Sequence, residues 1–256
     1  LSMTHLIGDA KSGDAPPKLD VVGSVLVATG LGAIVLGTLQ SSTWGWIRPK
    51  DSPVEVFGFS LTIFVISAGG MLLWAFVAWQ HRRERRGDDP LVHMGLLRIV
   101  TLRSGLIGLF SQNLILMGVF FVIPLYLQLV IGLDALETGI KMLPVSITMF
   151  IASAVGSRLS GRFPVRGIVR AGLITTVGAI VALLATVQPD LGDAGFAVSM
   201  AVLGAGMGLI VSQLGNVVQS SVDASGRGEA GGLQYTGQQL GSSLGVALIG
   251  AIVLAG

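Results

Sequence analysis

Long apolar segments alternate with short polar gaps along almost the whole chain, and this alternation is its dominant pattern. Each segment approaches or exceeds the roughly 20 residues that an α-helix needs to cross the hydrocarbon core of a bilayer. None of the segments carries a charged residue in its middle third. The pattern predicts an all-α, polytopic transmembrane bundle of about seven helices, over roughly Val21–Leu39, Phe57–Trp79, Leu106–Val130, Ile140–Leu159, Gly167–Val187, Ala194–Val218 and Gly231–Leu254.

Basic residues are concentrated in alternate gaps between these segments. The gaps before the first segment, after the second, after the fourth and before the last hold thirteen of the 16 lysines and arginines. Those gaps share one side if each segment crosses once, and cytoplasmic loops carry an excess of Lys and Arg. The sequence predicts a multi-pass cell-membrane protein with a cytoplasmic segment (1–19), two helices (20–80), a basic cytoplasmic linker (81–103) and five further helices (104–256).

The composition supports this interpretation. Hydrophobic residues make up 52% of the chain and charged residues only 12%, against about a quarter in soluble domains. The 37 glycines would weaken solvent-exposed helices, whereas in a membrane small residues let helices approach closely. The net charge of +2 does not indicate nucleic acid as a partner, because the basic residues flank apolar segments instead of covering one solvated face.

No constellation of residues in the sequence indicates an enzyme, a metal site or a cofactor. The three histidines, His5, His81 and His93, lie in predicted gaps and are too scattered for a metal cluster or a catalytic dyad. The glycine-rich run 204–208 lies inside an apolar segment without a preceding strand, so close helix packing explains it better than dinucleotide binding. We therefore expect no catalytic activity and no cofactor.

Uncharged polar side chains occur inside the third, sixth and seventh segments. An intramembrane amide either lines a watery cavity or bridges two helices. As a set spread over three helices, these residues favour a cavity, whereas the fifth segment, apolar except for threonines, is typical of a peripheral helix. The candidate cavity residues are Gln112, Asn113, Gln128, Gln213, Asn216, Gln234 and Gln238.

Three further features concern packing and boundaries. Gly237, Gly241 and Gly245 recur every fourth residue, which demands a close helix partner, in either static packing or a sliding contact. Asp20 is placed to cap the first helix. The mildly amphipathic stretch 91–102 is either an interfacial helix or a plain linker.

Several motifs resemble those of the fourteen-helix drug:proton antiporters of the major facilitator superfamily. The run 19–23 (LDVVG), followed by residues 44–46 (WGW), resembles the central helix pair of that family. Residues 124–144 resemble the signature across the first outer loop of its C-terminal bundle, and residues 231–247 resemble its penultimate helix. Gly156, Arg162 and Arg166 are similar to the superfamily's inner-loop motif, although Gly161 stands where an acid is usual, and the positive-inside rule also explains the two arginines.

The resemblance implies that the chain comprises the central helix pair and five of the six helices of the C-terminal bundle. The N-terminal bundle of the same polypeptide and a last helix would then be missing. It implies alternating access and proton-driven export of small hydrophobic or cationic compounds across the lipid bilayer. Because no acid lies at mid-membrane depth here, we expect the proton-carrying acid in the missing half. Two alternatives are an importer or facilitator of the same superfamily and a non-transporting seven-helix membrane protein.

Overall fold

A computed structural model describes residues 20–46, 58–88, 90–186 and 193–255, so the predicted cytoplasmic segment 1–19 lies outside the described residues. Long α-helices and two short 3₁₀ turns, at Leu96–Arg98 and Ala224–Gly226, form this part of the chain, which contains no β-strand. The all-α prediction is confirmed. The helices are α1 (Val21–Trp44), α2 (Leu61–Arg86), α3 (Val100–Leu129), α4 (Ala135–Leu159), α5 (Val165–Thr186), α6 (Asp193–Ser220) and α7 (Arg227–Ala255).

The helices α1 to α6 are long and apolar enough to cross a membrane. Helix α7 is also long enough, with 29 residues, but it is not among the six helices of the described chain that meet both conditions. Its inner half is rich in glutamine, serine and glycine, which lowers its hydropathy. Because α7 packs against α1, α3 and α6, neighbouring helices cover part of this polar surface. The multi-pass membrane location is confirmed.

Both ends of the predicted cytoplasmic linker, 81–103, are helical. Helix α2 continues through the basic run to Arg86, and α3 begins at Val100. Basic residues in the last turn interact favourably with the negative end of a helix dipole, so the helix extends past the hydrocarbon core. Gly87 ends α2 in the left-handed conformation (φ 74°). The loop between α2 and α3 therefore spans only residues 87–99.

Glycines set the closest helix contacts. In the α3–α7 pair, a Cβ atom added at Gly241 would overlap the carbonyl of Phe110, and one added at Gly245 would overlap that of Leu114. The residue numbers at these contacts increase together along both helices, so α3 and α7 run parallel. The same kind of parallel contact joins α4 and α6, where Gly204 and Gly208 lie against the backbone of residues 145–149.

The two parallel pairs run in opposite directions, because a short outer loop connects α3 to α4. They meet where α3 contacts α6, and α5 packs against α6. Helices α1 and α2 form a separate antiparallel pair, in which Gly30 lies against Gly69, and α1 attaches this pair to α7.

Candidate functional site

Helices α3, α6 and α7 contact one another, and we call the side of this junction that carries uncharged amide side chains the polar groove. Leu109 belongs to the row of α3 that packs against α6, and Phe110 belongs to the row that contacts α7. Asn113 follows these residues at the i+4 and i+3 positions, so its side chain lies between the two rows and faces the groove. It is half-buried, and its Nδ2 donates to the carbonyl of Leu109 at 2.9 Å. Thirteen residues from the start of α3, it lies about 20 Å along the helix, close to the middle of the helix.

Helices α6 and α7 supply the other amides of the groove. Gln238 is half-buried beside the glycine row that contacts α3. Nearer the inner end, Gln234 accepts a weak hydrogen bond from Nε2 of Gln219 at 3.4 Å, which joins α7 to α6. Asn216 is exposed on α6, and its Nδ2 lies 3.4 Å from the carbonyl of Ser212. Four predicted residues, Asn113, Asn216, Gln234 and Gln238, therefore lie on three helices that contact one another, and their joint role in a cavity stays a prediction.

Three predicted cavity residues lie elsewhere. Gln112 lies in the buried row of α3 that packs against α6, where its Oε1 has no hydrogen-bond partner. Gln213 is buried, and its Nε2 donates to the carbonyl of Gly156 at 2.8 Å, so it bridges α6 to α4. Gln128 is exposed at the outer end of α3. In this structure these three side chains lie away from the groove, because adjacent residues on a helix point about 100° apart and a polar side chain alone does not indicate which neighbour it meets. Their role in a cavity stays a prediction.

The three residues of the predicted inner-loop motif also lie in different environments. Gly156 is buried, because the side chain of Ser212 occupies the space that a Cβ atom would need. Arg162 and Arg166 are exposed, and neither forms an ion pair within the described part of the chain. This arrangement favours the explanation that the two arginines mark the cytoplasmic side.

A buried carboxylate joins α1 to α2 at the inner end of the pair. Asp20 is 4% exposed, and its Oδ1 accepts from the backbone N–H of Gly23 at 2.9 Å, as predicted for a helix cap. The same oxygen accepts from Nε1 of Trp79 at 3.0 Å, and Oδ2 accepts from Nε2 of Gln80 at 2.7 Å. Arg83 lies 3.5 Å away. The sequence analysis predicted only the cap, because the other partners are about sixty residues away along the chain.

The electrostatics of Asp20 follow from these contacts. Burial by itself raises the pKa of the carboxyl, but the hydrogen bonds from Gly23, Trp79 and Gln80 and the charge of Arg83 outweigh burial, so the pKa lies below its ordinary value of 3.8. Asp20 is therefore ionised at neutral pH and serves as a structural anion at the base of the central pair.

The loop between α2 and α3 is held in place by backbone hydrogen bonds. Oε1 of Gln80 accepts from the N–H of Leu91 at 2.8 Å, and Oε1 of Glu84 accepts from that of Met94 at 2.6 Å. Glu229, at the start of α7, binds both the backbone N–H and Nδ1 of His93, at 3.0 and 2.7 Å. The stretch 91–102 is accordingly an ordered linker with one 3₁₀ turn that leads into α3, and no separate interfacial helix forms there.

Within the described residues, no group of three or more histidine, aspartate or glutamate side chains is placed to hold a metal ion. A second cavity, of about 500 Å³, lies on the side of α3 away from Asn113 and is lined mainly by aliphatic side chains of α3 and α5. It has few polar groups to orient a ligand, so the polar groove is the candidate site.

Comparison with known proteins supports the motif-based prediction. The model of the Major Facilitator Superfamily matches residues 20–246. The chain is 28% identical to the tetracenomycin C resistance and export protein of Streptomyces glaucescens, over 97% of this chain and 43% of that protein. It is 30% identical to the probable actinorhodin transporter of Streptomyces coelicolor, over 94% and 40% of the two chains.

It is also 30% identical to the multidrug efflux pump LfrA of Mycolicibacterium smegmatis, over 68% of this chain and 34% of that protein. The chain thus spans less than half the length of these three relatives. The inverted parallel pairs, the six apolar spans and the family match over 20–246 lead to one conclusion. The chain belongs to the Major Facilitator Superfamily, and its similarity to drug-efflux members confirms the resemblance seen in its motifs.

Proposed function

We propose that the chain forms part of a proton-coupled secondary transporter that exports small hydrophobic or cationic compounds by alternating access. The observation that supports this proposal is the polar groove, in which uncharged amides lie on three long helices that contact one another. Polar groups are costly against lipid, so such a face suits a cavity shared with a second bundle. Met117 and Phe121 continue the stripe of Asn113 along α3 and add apolar surface for a hydrophobic substrate.

The names of the relatives support export as the direction. One is named for the resistance to and export of tetracenomycin C, and another as a multidrug efflux pump. The groove matches this chemistry, because neutral amides beside apolar side chains bind small organic molecules without requiring one fixed charge pattern. No observation specifically favours import or a non-transporting role.

Proton coupling is the second part of the proposal. A proton carrier needs a side chain that titrates within the membrane, and such residues are costly and rare there. In the described part of the chain, no acidic residue lies at mid-depth in a helix. Asp20 and Glu229 lie at the inner end, where each is already hydrogen-bonded. We therefore assign the coupling acid to the N-terminal bundle of the same polypeptide, which fits a chain that spans less than half of its relatives.

Everted membrane vesicles that carry the full-length protein provide the test. With an inward-acid gradient, a lipophilic cation such as ethidium should accumulate, and a pH-sensitive dye should report proton release. Asn113→Ala should raise the half-saturating substrate concentration about threefold to tenfold, the equivalent of one lost hydrogen bond. Ser111→Ala is the matched control, because Ser111 is exposed on the other side of α3.

Equal effects of the two substitutions would contradict the groove as the substrate site. Substrate movement without proton release would contradict the coupling, and substrate movement only in the opposite direction would contradict export.

A further inference from the structure

A separate polar pocket lies at the inner end of α2, away from the substrate groove. Its volume is about 590 Å³, and its polar lining comes from His81, Glu84 and Arg85 on α2 and from His93 and Arg98 on the linker. None of these side chains belongs to the groove. The pocket has no role in the transport proposal, so a function of the pocket does not depend on that proposal.

Linker residues 93–95 and Arg98 form one wall of the pocket, and hydrogen bonds hold this wall to two helices. Glu84 binds the backbone N–H of Met94 at 2.6 Å, which ties the wall to α2. Glu229 binds the N–H and ring of His93, which ties the same wall to the start of α7. Met94 is buried beneath the wall. The pocket is therefore a formed feature of the fold, and it does not depend on the rearrangement of a free loop.

The charge of the pocket is unbalanced. Arg85 and Arg98 are both exposed, and neither forms an ion pair within the described part of the chain. The carboxylate of Glu84 is already engaged by the N–H of Met94 and by His81, 3.5 Å away. Two guanidinium groups therefore face one pocket without an acidic partner. The planar donor fork of arginine matches the geometry of phosphate oxygens.

The depth of the pocket indicates where the phosphate comes from. Arg85 lies six residues beyond Trp79, about 9 Å further along α2. Tryptophan side chains lie at the membrane interface, and the headgroup layer is roughly 5–8 Å thick on each side. Arg98 lies two residues before Val100, which begins α3 and is 66% exposed. The backbone of Arg85 therefore lies at the aqueous edge of the headgroup layer, from which its long side chain can reach back to the lipid phosphates. Arg98 lies close to the exposed apolar Val100, which suits an acyl chain.

We propose that this pocket binds the phosphate of an anionic phospholipid from the inner leaflet, with Arg85 and Arg98 as its ligands. Basic pockets on the cytoplasmic side of membrane helices provide this kind of lipid recognition. The bound headgroup would link the end of α2 to the linker and, through His93 and Glu229, to α7.

Lipid binding to the purified full-length protein tests the proposal. Native mass spectrometry in detergent should show one tightly retained phosphatidylglycerol and no equivalent phosphatidylcholine. The double variant Arg85→Gln with Arg98→Gln should weaken this binding at least roughly thirtyfold, since each substitution removes a charge-assisted hydrogen bond to the phosphate worth about fivefold or more. The matched control is Arg82→Gln with Arg86→Gln, which removes the same charge from the same basic run. Neither control side chain lines the pocket, so the control should change binding by less than about threefold.

A variant that should tighten lipid binding shows that weaker binding in the arginine variants is not caused by misfolding. Glu84→Gln keeps an oxygen to accept from the N–H of Met94 but removes the only carboxylate that lines the pocket among the described residues, so it should tighten phosphatidylglycerol binding several-fold. Equal weakening by the two arginine pairs, or unchanged binding in the Arg85 and Arg98 variant, would overturn the site. Inorganic phosphate that binds as tightly as the lipid would overturn its assignment to the membrane.

Discussion

An exchange of hydrogen-bonding partners between α1 and α2 tests how Asp20 stabilises the protein. In the wild type, Nε2 of Gln80 lies 2.7 Å from Oδ2 of Asp20. In Asp20→Asn, the amide Oδ1 still accepts from Gly23 and Trp79, but the amide Nδ2 takes the place of Oδ2 and faces Nε2 of Gln80. Two donors then face each other in a buried site. In Gln80→Glu, two carboxylates face each other instead. The double exchange, Asp20→Asn with Gln80→Glu, restores one donor opposite one acceptor.

The magnitudes follow from these contacts. A buried donor left without a partner costs about 1–3 kcal/mol, so Asp20→Asn should lower the free energy of unfolding by that amount. Gln80→Glu should cost a similar amount, because facing carboxylates must either repel or take up a proton. The double exchange should cost less than either substitution alone. The coupling energy of the double-mutant cycle should therefore be favourable by about 2 kcal/mol, within the range for residues in contact.

Unfolding of the full-length protein in mixed micelles of increasing SDS content, followed by tryptophan fluorescence, would measure these energies. Thr29→Ala serves as the control, because its exposed hydroxyl bonds only within α1. Each variant should also be checked for a single peak in size exclusion before unfolding. If the double exchange is as unstable as the sum of its two single substitutions, the direct Asp20–Gln80 contact does not contribute to stability and the reasoning fails.

The same site has a defined pH dependence. The pKa of Asp20 is lowered in the folded protein, so its contribution is fully present above its ordinary pKa of 3.8 and is lost as the pH falls through the lower folded value. The stability difference between the wild type and Asp20→Asn should therefore stay constant from neutral pH to about pH 5 and shrink only at more acidic pH. A difference that already shrinks near pH 6 would contradict this origin.

Three further predictions concern packing, topology and coupling. Gly245→Ala should sharply reduce the yield of folded protein by size exclusion, because its Cβ would overlap the carbonyl of Leu114, whereas Gly232→Ala, with open space around it, should have no such effect. A cysteine at Arg166 should be shielded from an impermeant thiol reagent in intact cells, and one at Asp190, which lies outside the described residues, should react. Labelling of both from one side would refute the proposed topology. Glu229→Gln should retain proton-coupled transport in everted vesicles, and uncoupled transport by a well-folded variant would place the proton site in this chain.

The helices could be predicted from sequence because they depend on local properties, and their orientation stays a prediction. Length and apolarity decide whether a segment can cross a bilayer, and flanking charges indicate its direction. The glycine row of α7 likewise predicted a closely packed neighbouring helix. Helix ends were less predictable: α2 extends to Arg86, six residues past the predicted end of the central pair, because a helix can continue into water after its hydrophobic span is complete.

The partners of individual side chains depended on the tertiary structure. Gln213 and Asn113 are both amides in apolar helices, yet one bridges to Gly156 and the other faces the groove, a difference set by rotation and by which helix lies opposite. The cap at Asp20 was visible in the sequence, but its contact with Gln80 joins residues sixty positions apart. Membrane insertion depends on the total hydrophobicity of a segment, which can be read from the sequence. Hydrogen-bond pairing depends on distances of a few ångströms, which only the packed helices determine.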